Sequence, residues 1–183
     1  MSRNQNRKKR IIKLNNGMTL VELLVAVAII AIVTAVGVIG IGILSSGDSK
    51  KASGALRNAL SEVRTSTLSI EADWEAIIRN KDGKFEVAIL KDGSEEDLYE
   101  LGTRIDITFL DSKASIEYTL NDGEELRIAF NKSSGSVSRI TYRESEFPRE
   151  DESSSLKFLV NSSSKGEYEV VLWYATGKVT GKE

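Results

Sequence analysis

A chain of 183 residues with no cysteine and no histidine can form no disulfide or thiolate site, and it lacks the commonest general base and zinc ligand. Its length suits one globular domain plus a membrane segment, and its formal charge of −2 hides an asymmetry. Arg3, Arg7, Lys8, Lys9, Arg10 and Lys13 precede Met18 with no acid among them, which leaves 19 of the 25 basic residues against all 27 acidic ones beyond it, a net of −8. An acidic remainder repels a nucleic-acid backbone, so no nucleic-acid partner is expected.

After the basic segment comes Gly17-Met18-Thr19-Leu20-Val21-Glu22, and then an apolar run. From Leu23 to Leu44 no residue is charged, and Thr34 is the only polar side chain. A run of that length crosses a hydrocarbon core of ~30 Å as a helix. Basic flanks stay in the cytoplasm, so the N-terminus is expected inside and the acidic remainder outside the cell membrane, with a single pass. A secretory signal has an apolar core of about 7–15 residues and a small-residue cleavage site. Here the core is too long, and Ser45-Ser46-Gly47-Asp48 is a poor site.

Two readings remain for this front end. One is an uncleaved single-pass anchor displaying an extracellular binding domain. The other gives Glu22 a partner, because an acid carried to the bilayer centre costs roughly 2.5–3.5 kcal/mol. A cut after Gly17 would expose the α-amine of Met18 as a cation. That amine and Glu22 are a helical turn apart within one chain, but they could meet between neighbouring, axially staggered chains. In low dielectric such a pair is strongly directional.

At these residues the chain resembles the type IV pilin and pseudopilin family. The family motif is Gly, then usually Phe, then Thr-Leu-x-Glu and an apolar helix; here it reads Gly17, Met18, Thr19, Leu20, Val21, Glu22. The resemblance implies that a prepilin peptidase cuts between Gly17 and Met18 and methylates the new amine of Met18. It implies that Glu22 helps set subunit register in a helical filament, of a type IV pilus or a type II secretion-like pseudopilus. The implied partners are homologous pilin subunits, the peptidase, the assembly platform, and membrane lipid before assembly. The chain departs from the pattern in three ways: Met18 replaces Phe, no proline interrupts the apolar helix, and the C-terminal cysteine pair of many major pilins is missing. Any clamp on the last strands must therefore come from packing.

Beyond the run, Ala52, Ala55, Leu56, Ala59, Leu60, Val63, Thr67 and Ile70 recur at steps of three and four, one face of a helix. Gly37, Gly40, Gly42 and Gly47 interrupt the middle. They suit either close packing of membrane helices or a segment that extends on assembly. From about Trp74 the period becomes two. Phe85, Val87 and Ile89 follow a Lys81-Asp82-Gly83 turn, and Ile105, Ile107 and Phe109 alternate with polar residues. Ile116, Tyr118 and Leu120 are expected to face Leu126, Ile128 and Phe130 across Asn121-Asp122-Gly123 as a hairpin. Further strands are expected around Ile140, Phe158 and Val170, the last one turning at Thr176-Gly177.

The expected fold is α+β: a long N-terminal helix, membrane-spanning in its first half and amphipathic in its second, packed on one antiparallel sheet. The resemblance makes this the pilin fold. The expected domains are a leader at 1–17, a filament-core helix at 18–45, its amphipathic continuation at 46–72 and a sheet domain at 73–183. Leu126–Tyr142, Val170–Val179 and Ala59–Ser69 with Arg64 resemble the FimT/GspH-type minor pseudopilins.

Loops are expected at 92–97, 132–136, 144–155 and 161–166. The acidic loop with Glu144, Glu146, Glu150, Asp151 and Glu152 could ligate calcium, but it lacks a spaced ligand loop and reads as solvated. Asp92–Asp97 reads as a turn entering a surface loop. Asn131 and Asn161 fit a glycosylation pattern that is common by chance. Trp74 and Trp173 read as core or sheet-face aromatics. With no phosphate loop and no nucleophile–base set, neither catalysis nor a cofactor is expected.

Overall fold

The computed structural model describes residues 20–149, 151, 153–162 and 166–182; the side chains of 30–47 and 182 lie outside this description. The chain divides into two compact units, the first ending at Ile39 and the second beginning at Gly40. Helix α1, Leu20–Ser69, belongs to both. The glycines at 37–47 fall inside its helical span.

In the second unit the stripe read from the sequence is the buried face of α1. Ala52, Leu56, Ala59, Leu60 and Val63 are fully buried. Each large aliphatic side chain so covered contributes about 1.5–3 kcal/mol. Thr67 joins them because its hydroxyl donates back to the Val63 carbonyl at 2.7 Å, which satisfies it locally. The stripe stops short of its predicted end: α1 closes at Ser69, and Ile70 is exposed.

Among the described residues eleven strands follow, in two antiparallel sheets rather than the one expected. The first sheet begins as a meander of β1 (Trp74–Lys81), β2 (Lys84–Lys91) and β3 (Ser94–Gly102). The chain then enters the second sheet with β4 (Ile105–Asp111) and β5 (Tyr118–Thr119). It returns to the first for β6 (Glu125–Phe130), β7 (Val137–Tyr142) and β8 (Ser145–Glu146), and ends in the second with β9 (Ser155–Ser162), β10 (Tyr168–Trp173) and β11 (Val179–Lys182). The orders are β3-β2-β1-β6-β7-β8 and β11-β10-β9-β4-β5. A period of two fixes which side chains share a face, and it leaves open which strands share a sheet. Ile107 and Phe109 of β4, Ile128 of β6, Ile140 of β7 and Phe158 of β9 are all fully buried in one core with the α1 stripe. Phe109 crosses between sheets to meet Tyr142 edge-on, ring centroids 5.0 Å apart.

Three expectations are corrected here. The stretch 116–130 is not a hairpin. Tyr118 and Thr119 pair with β4, and the Leu120 amide donates to Ile107 O at 3.0 Å, while β6 pairs with β1 and β7. The Asn121-Asp122-Gly123 turn carries the chain from one sheet to the other and docks on the β1–β2 end. There the Gly123 amide donates to Asn80 O at 2.8 Å, and the Gly83 amide donates to Asp122 Oδ1 at 3.2 Å. Ile116 is consequently exposed. The acidic stretch 92–97 is not a loop either: Asp92 and Gly93, both at positive φ, make the two-residue turn between β2 and β3, and residues from Ser94 on are strand. The loops read at 144–155 and 161–166 are shortened by β8 and by the ends of β9.

The outer face of the first sheet is laced with cross-strand ion pairs. Arg79 reaches Glu86 at 2.5 Å and Glu95 at 3.1 Å, and Arg127 reaches Glu75 at 3.5 Å. Glu124, at the sheet-to-sheet crossing, accepts from the Asn121 amide at 2.9 Å, the Tyr142 hydroxyl at 2.6 Å and Arg143 at 2.6 Å. Burial opposes its charge, but these donors prevail and hold the carboxyl at about 2. A carboxyl depressed from 4.5 stabilises the fold above that value and loses the contribution as pH falls through about 2. The urea midpoint of Glu124→Gln is expected to lie below that of the parent by a constant margin at pH 5–7. That margin should shrink between pH 4.5 and 2; denaturation monitored by circular dichroism across that range checks it.

Candidate functional site

Two places were marked by the sequence, the processing segment and the clamp that the last strands need. Gly17 and Met18 lie outside the described residues. Glu22 lies in the first turn of α1, where the helix dipole favours a carboxylate. Around it Leu20, Val21, Leu23, Leu24, Val25, Val27 and Ile29 are all exposed, several by more than half of their surface. Among the described residues of the first unit Glu22 is the one charged side chain on this part of the helix. A contiguous apolar surface of this kind needs lipid or another helix against it. Among the described residues no helix is long and apolar enough to cross a membrane. The apolar run read at Leu23–Leu44 falls largely on residues whose side chains lie outside the described set.

The clamp is built on Arg64. From the helix its Nε donates to Thr176 O at 2.9 Å in the β10–β11 turn and toward Gly135 O at 3.3 Å in the β6–β7 turn. Gly177 sits at φ +61° with its amide on Trp173 O at 2.7 Å, and a Cβ there would lie 1.8 Å from Gly135 O. The two turns therefore touch backbone to backbone. The Val137 amide continues the seam by donating to Tyr174 O at 2.9 Å. One side chain thus ties the helix to both sheets where a covalent bridge is not possible. Packing is expected to do this, and Val170, Leu172 and Tyr174 are indeed buried in the core; the hydrogen bonds to two turn carbonyls add to it. The signal was present in an arginine on the helix and in two Gly-containing turns, but their approach across 71 and 112 residues is not legible from spacing.

The remaining candidates resolve into structural roles. Asp151 accepts from Lys113 Nζ at 2.8 Å, the Ser153 amide at 3.0 Å and the Ser153 hydroxyl at 2.9 Å. Those donors, Lys113 first, hold its carboxyl well below the usual carboxylate range. Glu146 pairs with Arg149 at 3.6 Å, Glu144 lies at positive φ and is exposed, and Glu150 and Glu152 lie outside the described residues. Among the described residues no cluster of three or more acidic side chains is arranged to hold a metal ion. Asn131 uses Oδ1 to cap its own turn, accepting from the Ser133 amide at 2.9 Å and its hydroxyl at 2.7 Å. Trp74 is in the core, whereas Trp173 is 44% exposed on the second sheet with Nε1 donating to Thr180 Oγ1 at 3.4 Å.

Comparison with known proteins bears on the first of these places. Residues 12–38 match the family model described as the prokaryotic N-terminal methylation motif. The chain carries the type IV pilin and pseudopilin signature. That signature marks a pilin-like substrate of prepilin peptidase, of the kind that is cleaved and N-methylated. No curated protein and no solved structure matches the chain. The signature covers Met18 and Glu22 and leaves the sheet domain to be understood from its own geometry.

The clamp makes a paired stability prediction. Gly177→Ala, with no room for a Cβ and at positive φ, is expected to cost roughly 3 kcal/mol or more. Gly54→Ala, in the helix with nothing within 4 Å, is expected to stabilise by up to ~1 kcal/mol. Thermal unfolding of the two full-length variants, purified in the same detergent, checks both signs.

Proposed function

We propose that this chain is a structural subunit, a minor pilin or pseudopilin, of a type IV pilus or a type II secretion-like pseudopilus. It carries out no chemistry of its own. The subunit first lies in the cell membrane as a single-pass protein, with its basic leader in the cytoplasm and the sheet domain outside. Prepilin peptidase removes residues 1–17 and methylates Met18. The assembly platform then moves the helix from lipid into a filament, where other pilin helices cover the same apolar side chains. The domains are the leader at 1–17, the filament-core helix at 18–45, its amphipathic continuation at 46–72 and the sheet domain at 73–183.

The observation that carries this reading is the motif match over residues 12–38 with Glu22 placed in the first helical turn. Glu22 is the one ionised side chain in the sequence from Met18 to Leu44, where Thr19 and Thr34 are the other polar residues. A methylated α-ammonium on an axially offset neighbour answers it, and the offset that brings the two charges together sets the subunit spacing. In a medium of low dielectric, removing one member of such a pair strands the other and costs about 3–5 kcal/mol. That is enough to abolish a registered contact while leaving insertion intact. Likeness of Leu126–Tyr142 and Val170–Val179 to the FimT/GspH-type pseudopilins favours a minor subunit.

Two measurements test the reading. Intact-mass and terminal-peptide spectrometry of the protein from its own cells should find a chain that starts at N-methylated Met18. A product still carrying Arg3–Lys13 would instead identify an uncleaved anchor. Glu22→Ala should be inserted and cut at the normal rate yet recovered at least tenfold less in sheared filament fractions; normal recovery would remove the role assigned to Glu22.

A further inference from the structure

The two sheets have four edges, and they are not alike. β5 and β8 are two residues long and offer little to pair with. β3, nine residues, is the open edge of the first sheet, and β11 is the open edge of the second. An open strand edge presents unpaired backbone donors and acceptors to any strand that can approach.

The β3 and β11 edges differ in charge, the acid Glu169 of β10 apart, and each has one exposed apolar side chain on or beside it. On β3, Leu98 is 39% exposed and is preceded by Glu96 and Asp97, neither of which makes an ion pair among the described residues. Glu95 and Glu100 of the same strand are already taken by Arg79 and Lys84. Beside β11, Trp173 leans across the strand to Thr180 and forms with Lys178 the wall of a shallow depression of about 490 Å³. On the other flank Arg57 of the helix lies so close that a Cβ on Gly181 would be 3.6 Å from its Nη1. Neither Arg57 nor Lys178 makes an ion pair among the described residues. The uncompensated acids of one edge thus match the uncompensated bases of the other.

We infer that the β3 edge of one copy pairs with the β11 edge of a second copy, with Leu98 set toward Trp173 and with Glu96 and Asp97 set toward Lys178 and Arg57. Two β3 edges would oppose Glu96 and Asp97 to themselves, so the contact is head-to-tail. A head-to-tail contact leaves one free edge of each kind at the ends and therefore propagates from copy to copy. It is a property of the sheet domain and stands apart from the reading of the N-terminal segment.

The absence of native cysteine makes the test direct. Leu98→Cys and Thr180→Cys chains, carrying different tags, are expressed together at full length and treated with a mild oxidant in membranes. The expected result is a disulfide-linked dimer containing both tags, and no dimer from either variant alone. Adding Glu96→Lys, on the Leu98 face of β3, to the first chain should lower the linked fraction about fivefold, as an exposed ion pair permits, and Lys178→Glu, on the Thr180 face of the second, should restore it. Dimers from Leu98→Cys alone, no mixed dimer, or no restoration by the charge exchange each overturn the contact; the second outcome would mean that Glu96 and Asp97 only keep the edge unpaired. Terminal-peptide spectrometry on the same membranes separates the two readings. A cleaved chain without the mixed dimer sinks the edge contact alone, and an intact leader with the mixed dimer sinks the pilin reading alone.

Discussion

The sheet domain depends on the burial of one helical stripe. Ala52, Leu56, Ala59, Leu60 and Val63 are small or aliphatic, spaced at three and four, and fully covered. Three of the five have side chains large enough to contribute about 1.5–3 kcal/mol each, which exceeds what helix propensity supplies over the same span. The stripe shares one continuous core with the inner faces of both sheets, so neither sheet buries its apolar face without it. Two features follow. The chain alternates between sheets as it is laid down, since each meander leaves an apolar face that the next must close. The polar positions of the helix are also drawn into seams: Glu62 accepts from the Tyr99 hydroxyl on β3, and Arg64 grips the two turns. The Tyr99 phenol is pushed up to about 12, chiefly by that bond to Glu62, which keeps the donor protonated throughout the neutral range.

Arg64 is the point at which a hydrogen-bonded seam replaces covalent closure. A guanidinium is suited to it, because it is always charged and rigid and loses little order on bonding two carbonyls. Its Nε alone serves Thr176 and Gly135, and the absence of a side chain at Gly177 lets the turns close to contact. A disulfide would act mainly on the unfolded chain. This seam acts on the folded chain, so it holds the β10–β11 hairpin only while the helix and the β6–β7 turn are in place. The last strands, already paired with β9 and packed in the core, are thereby tied to the helix as well.

What the sequence disclosed and what it withheld divide along a physical line. The helical stripe was legible because Ala52–Val63 repeats with the helical period, and β4 and β6 were legible because Ile105–Phe109 and Leu126–Phe130 alternate. The motif at Gly17–Glu22 was legible because it is written in residue identities. Partnership between strands was not. Asn121-Asp122-Gly123 has the composition of a hairpin turn, yet Gly123 spends its amide on Asn80 and the chain changes sheets there. The acids of Asp92–Asp97 have the composition of a loop, yet the Asp92-Gly93 turn sets up an edge strand whose acids face solvent. The Arg64 seam joins residues that no local pattern relates.

The same division explains why the comparison finds the front of the chain and nothing beyond it. Residues 12–38 are constrained in identity. The motif matched there is written in particular residues. The sheet domain is constrained in pattern only. Its core asks for apolar side chains at alternate positions of roughly the right volume, and many sequences satisfy that equally well. Its surface charge is free to vary wherever it is not paired. Residues such as Glu96, Asp97, Lys178 and Arg57, which make no ion pair among the described residues, are therefore where two sheet domains of common ancestry can differ most.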